Sequence, residues 1–339
     1  MNLAAKLENV VPQAEIYLQA ERVVEIERLK KERNAIILGH NYMEPALFHS
    51  VCDFKGDSLQ LARISAETTA DVIVFCGVKF MAETAKILNP TKTVLIPSDR
   101  AGCSLAASIT AKDVRELRKL YPGVPVVTYI NTYAEVKAES DVVCTSGNAK
   151  KVIESFHSDT VIFIPDEYLA KNVARETGKK IIVPTLNPRL SRPLEEGVSK
   201  VLIGWPGKCE VHERFSVEDI QNVRKQFPDV VVLAHPECAP DVVEASDFSG
   251  STSAMIKYVK ESKAPHYLLL TECSMGDNIV AENPEKDLLR LCSVRCPHMA
   301  QITLEMTQKA LELMRYQVEV DEGIRVKAKR AIDRMLEIG

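Results

Sequence analysis

The chain has 339 residues, 46% hydrophobic and 27% charged, with a net charge of -4. That length buries two or three ordinary cores without disulfide staples, and the slight acidity leaves no basic face for a phosphate backbone, which argues against nucleic acid as a partner. No apolar run reaches membrane length, and the N-terminus carries charges through its apolar positions, so neither a membrane contact nor a secretory signal is expected and the chain is read as cytoplasmic. In chain order, residues 13–33 repeat apolar positions at helical spacing and predict an amphipathic helix. Short β-branched runs then alternate with helical stretches: AIILGH, DVIVFCG, TVLIPS, PVVTYIN, TVIFIPD, IIVPTLN, DVVVLAH and YLLLTE. This order predicts an α/β protein with parallel sheets covered by helices on both faces. The stretch NPRLSRPLEEGVSKVLIGWPG, rich in proline and glycine, reads as an inserted loop. Residues 301–338 predict one or two closing helices that pack with the first.

The runs fall into three sets. AIILGHNY ends at His40, VVTYIN at Asn131 and VVVLAHPE at His235. A small hydroxyl at a helix start follows each: Ser58 in KGDSLQLA, Ser146 in CTSGNA, and Ser251 with Thr252 in FSGSTSAM, at intervals of 18, 15 and 16 residues. Each set closes on a cysteine, Cys103, Cys209 or Cys296, at 63, 78 and 61 residues from the first-strand residue. Three copies of one strand-helix plan predict three pseudo-symmetric αβα sandwich units around a central site. Their bounds are 34–105, 106–208 and 209–300, with 1–33 and 301–339 as flanking helices.

Ligands of parallel α/β sheets bind beyond the carboxyl ends of the strands. His40, Tyr42, Tyr129, Asn131, His235 and Glu237 stand there and are expected to converge, together with the three cysteines. Nine cysteines without a signal peptide imply a reducing compartment and thiols kept for packing, metal or catalysis. Cys52, Cys76, Cys144, Cys238 and Cys273 read as packing residues. Three thiolates on separate loops favour iron-sulfur, zinc or copper(I). A four-iron cluster normally takes four cysteines, so three leave one iron open as a Lewis acid. Ser58, Ser146 and Thr252 suit helix caps or, at the positive end of a helix, phosphate or carboxylate binding. Glu237, two residues beyond a strand-end histidine, suits general acid-base work. His212 and His298 are expected behind the cysteines or at the surface, and His49, His157 and His266 as ordinary loop or surface residues. A zinc-dependent lyase or hydrolase on the same cysteines, or a sensor that uses a cluster only to report oxygen or iron, are the competing readings.

Taken together, GHNYMEP, GDSLQLAR, AGCSLA, YINTYAEVKAESDVVCTSGNA, PDEYLAKN, WPGKCEVHERF, HPEC, DFSGSTSAM and CPHMAQITLE resemble the quinolinate synthase family over about residues 36–312. The resemblance implies a 4Fe-4S cluster on Cys103, Cys209 and Cys296. It also implies condensation of iminoaspartate with dihydroxyacetone phosphate to quinolinate, phosphate and two waters, a step of NAD biosynthesis. By motif, His40, Ser58, Tyr129, Asn131, Ser146, His235, Glu237, Ser251 and Thr252 would bind the two substrates, and Tyr42, Glu237 and His235 form the catalytic set. The instability of iminoaspartate implies transient contact with the enzyme that makes it. Some members carry a CxxCxxC run at the third ligand, whereas this chain has Cys292 and Cys296; Cys296 is assigned because CPHMAQITL matches the family pattern, leaving Cys292 to packing or a labile thiol pair.

Overall fold

Among the described residues, thirteen short strands sort into three sheets in which every pair runs parallel. The computed structural model describes residues 10, 12–13, 16–184, 200–291 and 294–339. The first sheet holds β1 (Ala35–His40), β2 (Phe54–Gly56), β3 (Val72–Cys76) and β4 (Thr93–Leu95), in the order β2-β1-β3-β4. The second holds β5 (Val126–Tyr129), β6 (Val142–Cys144), β7 (Thr160–Ile164), β8 (Lys180–Ile182) and β9 (Val201–Ile203), in the order β6-β5-β7-β9-β8. The third holds β10 (Val231–Ala234), β11 (Phe248–Ser249), β12 (His266–Leu270) and β13 (Asp287–Arg290), in the order β11-β10-β12-β13. One order is thus used three times, with β8 added at an edge of the second sheet. The central strands β3 and β7 are buried along their whole length, as strands covered by helices on both faces must be.

The predicted inserted loop is only partly a loop. Val201–Ile203, inside that stretch, is the fully buried strand β9 and takes the place of β4 and β13. IIV, from the β-branched run IIVPTLN, supplies the more exposed edge strand β8. A three-residue apolar run between proline and glycine carries too little pattern to be seen as a strand; residues 185–199 and Cys292 lie outside the described residues.

Register corrects the alignment of the repeats. Gly39 pairs with Cys76, Thr128 with Ile164 and Ala234 with Leu270. The equivalent residues that follow are therefore His40, Tyr129 and His235, and two positions on stand Tyr42, Asn131 and Glu237. Asn131 belongs with the tyrosine and the glutamate, not with the histidines. Ahead of β2, β6 and β11 stand Asp53, Asp141 and Asp247. Their carboxylates accept the amides of Ile37, Val126 and Val232 at 2.8, 2.7 and 2.8 Å, tying each short strand to the first strand of its unit.

The helix Ile16–Glu32 packs on Leu304–Leu313, where Arg22 donates to Gln308 at 3.3 Å. The last helix, Glu322–Ile338, lies against Ala134–Ala138 of the second unit and Lys79–Leu88 of the first. One hydrophobic cluster accordingly runs through both units, from Ile37 and Val74 to Val143, Phe163 and Ile332. The third unit has apolar clusters of its own around Val232 and Leu268 on one face and Tyr267 and Met255 on the other. No helix of the described residues is long and apolar enough to cross a membrane.

Candidate active site

The carboxyl ends of the three sheets face one cavity of about 710 Å³. Its walls include His40, Tyr42, Tyr129, Asn131, His235 and Glu237 from the strand ends, the hydroxyl residues Ser58, Ser146 and Thr252, and all three predicted cysteines. No lysine or arginine of the described residues lines it.

Each of those cysteines opens a short helical turn. The carbonyls of Cys103, Cys209 and Cys296 accept the amides of Ala107, Glu213 and Ala300, each at 3.0 Å. The Cys103 and Cys209 loops are linked where the Glu210 amide donates to Ser104 Oγ at 3.4 Å, and the Cys296 amide donates to Glu272 Oε1 at 3.4 Å. Burial pushes the Cys103 thiol up to about 12 and the Cys296 thiol to about 11, and it holds Cys209 well above its usual value. Uncharged thiols are the stable form there unless a cation replaces their protons.

Helix caps free the hydroxyls for the cavity. Asp57 caps Ser58–Glu67 by accepting the Gln60 amide, and Ser251 caps Thr252–Glu261 by accepting that of Ala254. Ser58 and Thr252 are thereby the first helical residues, beside free N–H groups, and Ser146 stands just ahead of Ala149–Glu154. The Ser251 hydroxyl also donates to Asp57 Oδ2 at 3.1 Å, binding the third unit to the first, and Ser251 is not among the residues lining the cavity.

His40 and His235 are placed alike. Each ring accepts, at Nδ1, the amide two residues on, from Tyr42 at 3.2 Å and Glu237 at 3.3 Å, so each presents Nε2–H. That of His235 points to Ser146 Oγ at 3.3 Å. Burial lowers His40 to about 4 and His235 to about 3, so both are neutral donors at pH 7.

His212, expected behind the cysteines or at the surface, is buried and joins the two halves of a hydrogen-bond chain. Its Nδ1 lies 2.7 Å from Glu237 Oε2 and its Nε2 3.0 Å from Thr271 Oγ1. A carboxylate only accepts, so Nδ1 carries a proton toward Glu237. Thr271 Oγ1 in turn lies 2.6 Å from the Tyr42 hydroxyl, within hydrogen-bond distance. On the far side Glu237 Oε1 accepts from the Tyr129 hydroxyl and from Asn131 Nδ2, the latter at 3.3 Å. The chain therefore runs Tyr42, Thr271, His212, Glu237, Tyr129, across all three units. Burial alone would raise the Glu237 carboxyl; the attraction of the His212 ring and the hydrogen bonds from His212 and Tyr129 outweigh it and hold Glu237 well below the usual carboxylate range. Burial and the Glu237 charge keep Tyr42 and Tyr129 as neutral phenols.

Sequence reading missed Thr271 and the task of His212. YLLLTE ends in a polar residue at a strand end, the same signal that singled out His40, while the His212 ring reaches Glu237 only through folding. His298 lines the cavity 3.1 Å from Glu210. His49, expected in a loop or at the surface, is largely buried in the helix Pro45–Ser50, whereas His157 is exposed and His266 half-buried at the start of β12. Cys76, Cys144, Cys238 and Cys273 are buried as expected, and Cys52 half-buried.

A family model described as "Quinolinate synthetase A protein" matches residues 24–337. Among curated relatives, "Quinolinate synthase 2" of Mesorhizobium japonicum is 53% identical over 98% of this chain and 96% of its own length. "Quinolinate synthase" of Agrobacterium fabrum is 52% identical over 99% of this chain and 91% of its own. The Xylella fastidiosa protein of the same name is 54% identical over 91% and 85%.

Proposed function

Because the chain belongs to the quinolinate synthase family, we propose that it condenses iminoaspartate with dihydroxyacetone phosphate, releasing quinolinate, phosphate and two waters, in the cytoplasmic synthesis of NAD. The observation that carries this reading is one cavity that combines three converging cysteines with a five-residue proton-bearing chain. Cys103, Cys209 and Cys296 would hold a 4Fe-4S cluster, and the fit rests on the donors: three half-buried thiols lining one cavity, one after the closing strand of each sheet, none paired with another. When bound, such a cluster supplies an iron left open by the protein, a Lewis acid for a substrate oxygen or nitrogen.

The remaining work falls to the chain. Ser58 and Thr252 at helix N-termini, with Ser146 and the neutral Nε2–H of His40 and His235, offer donors to carboxylate and phosphate without any cationic side chain. Glu237 lines the cavity between donors on both sides that hold it ionised, which fits it to accept a proton from carbon. The Tyr42 hydroxyl lines the cavity beside Thr271, where it can deliver a proton to a departing oxygen. Tyr129 and Asn131 hold Glu237 from the opposite side.

A mononuclear site is the second reading, since donor atoms of Cys209, His212 and Glu237 lie within 4.8 Å of one another. Against it, both His212 ring nitrogens are already engaged, by Glu237 and Thr271. The test is anaerobic purification followed by an assay with freshly generated iminoaspartate and dihydroxyacetone phosphate. Brown protein containing iron and acid-labile sulfide that forms quinolinate is expected; colourless zinc protein without quinolinate formation overturns the reading.

A further inference from the structure

Two asparagines, on the helices that follow β7 and β12, hold the catalytic loops of the neighbouring unit. Asn172, in the PDEYLAKN stretch, lies on Glu167–Thr177, six residues after its cap Asp166. Its Nδ2 donates to the carbonyls of Pro236 at 2.9 Å and Cys238 at 3.0 Å, the residues on either side of Glu237. Asn278 lies on Cys273–Glu282, six residues after its cap Glu272. Its Nδ2 donates to the carbonyls of Asn41 at 3.1 Å and Met43 at 2.9 Å, which flank Tyr42. Register makes Tyr42 and Glu237 equivalent, so this is one contact made twice, from the second unit to the third and from the third to the first.

The remaining copy keeps the carbonyl pair but changes the donor. Thr84 stands six residues after Val78 and spends its hydroxyl on Phe80 O. The carbonyls of Ile130 and Thr132, on either side of Asn131, are held instead by Lys137 Nζ, at 2.9 Å for Ile130. Lys137 is fully buried, and Glu83 of the first unit accepts the nearby Ala134 amide at 2.8 Å. Each of the three residues that meet across the cavity is thus gripped by donors to the carbonyls before and after it.

We propose that Asn172 and Asn278, each reaching across a unit boundary, and Lys137, within its own unit, are positioning residues that fix Glu237, Tyr42 and Asn131 against one another. A donor that takes both flanking carbonyls stops the loop from rotating about its own axis, which is the motion that would swing the middle side chain off its target. Asn172 and Asn278 are each buried to within 2% and neither lines the cavity, so their effect on turnover must pass through the loops they hold. The Oδ1 atom of Asn172 finds no donor among the described residues, so the NH2 end is what places this side chain.

The inference rests on the function proposed above. Its test uses the cluster-loaded enzyme carrying Asn172→Ala, Asn172→Asp or Asn278→Ala, with kcat, KM, iron content and amide exchange of residues 235–238 measured together. The expected result is kcat down roughly 10- to 100-fold, little change in KM, iron content retained, and loss of protection at the Glu237 and Cys238 amides in the two Asn172 variants. Asn172→Asp keeps the volume and reads the same effect should the alanine variant fail to fold. Its kcat is expected to recover as pH falls, because a protonated carboxyl regains one donor. Wild-type kcat in the variants, or a loss confined to iron content and melting temperature, overturns the proposal. If the unaltered enzyme forms no quinolinate, the functional reading fails, while amide exchange still reports whether Asn172 holds its loop.

Discussion

Glu237 is where the site's electrostatics are decided. A buried carboxyl would ordinarily be neutral, yet here Tyr129, Asn131 and His212 all donate to it. Glu237→Gln keeps the shape and removes the charge. Turnover is expected to fall roughly 10²- to 10⁴-fold, the range for a general acid-base group, with iron content unchanged. Steady-state rates on protein of matched iron content check this, and an unaltered rate would restrict Glu237 to binding. The glutamate was legible in the sequence because it stands two residues past a strand-end histidine. His212 was not, because what matters is the side of the cavity its ring reaches.

Short elements explain most of what pattern reading lost. A strand of two or three residues, such as β2, β6 or β11, shows no period of its own. Its better signal is the aspartate ahead of it: Asp53, Asp141 and Asp247 recur as D-F-K-G, D-V-V-C and D-F-S-G, each accepting a first-strand amide. The helix Pro45–Ser50 hides a titrating group in the same way. Burial, with Lys55 at 3.5 Å, lowers His49 to about 4 despite Glu282 at 3.7 Å and contact with Asn278. The unfolded chain therefore takes up this proton below about pH 6.5 while the folded chain resists it to about 4, so the contribution of His49 is full above 6.5 and is lost as pH falls toward 4. His40 and His235 act in the same sense, and Glu272, raised by burial to about 7, in the opposite one. His49→Gln is expected to flatten the loss of thermal midpoint between pH 7 and 5. Parallel pH profiles for variant and parent would contradict the assignment.

At the scale of the whole molecule, three α/β units and their common cavity were foreseeable from the repeated strand-end residues and cysteines, while the two-residue slip at Asn131 needed register to correct. Topology places the carboxyl ends of three sheets together, and one cysteine follows the closing strand of each sheet with its helical turn. The claim that unites fold and chemistry is that these three thiols serve one cluster. Its most direct measurement is iron and acid-labile sulfide per chain in anaerobically purified Cys103→Ser, Cys209→Ser, Cys296→Ser and, as a control, Cys144→Ser, whose thiol is buried in β6 away from the cavity. Loss of iron and sulfide in each of the first three, with near-parental content in the control, is the predicted result. Full iron content in any of the first three would contradict it.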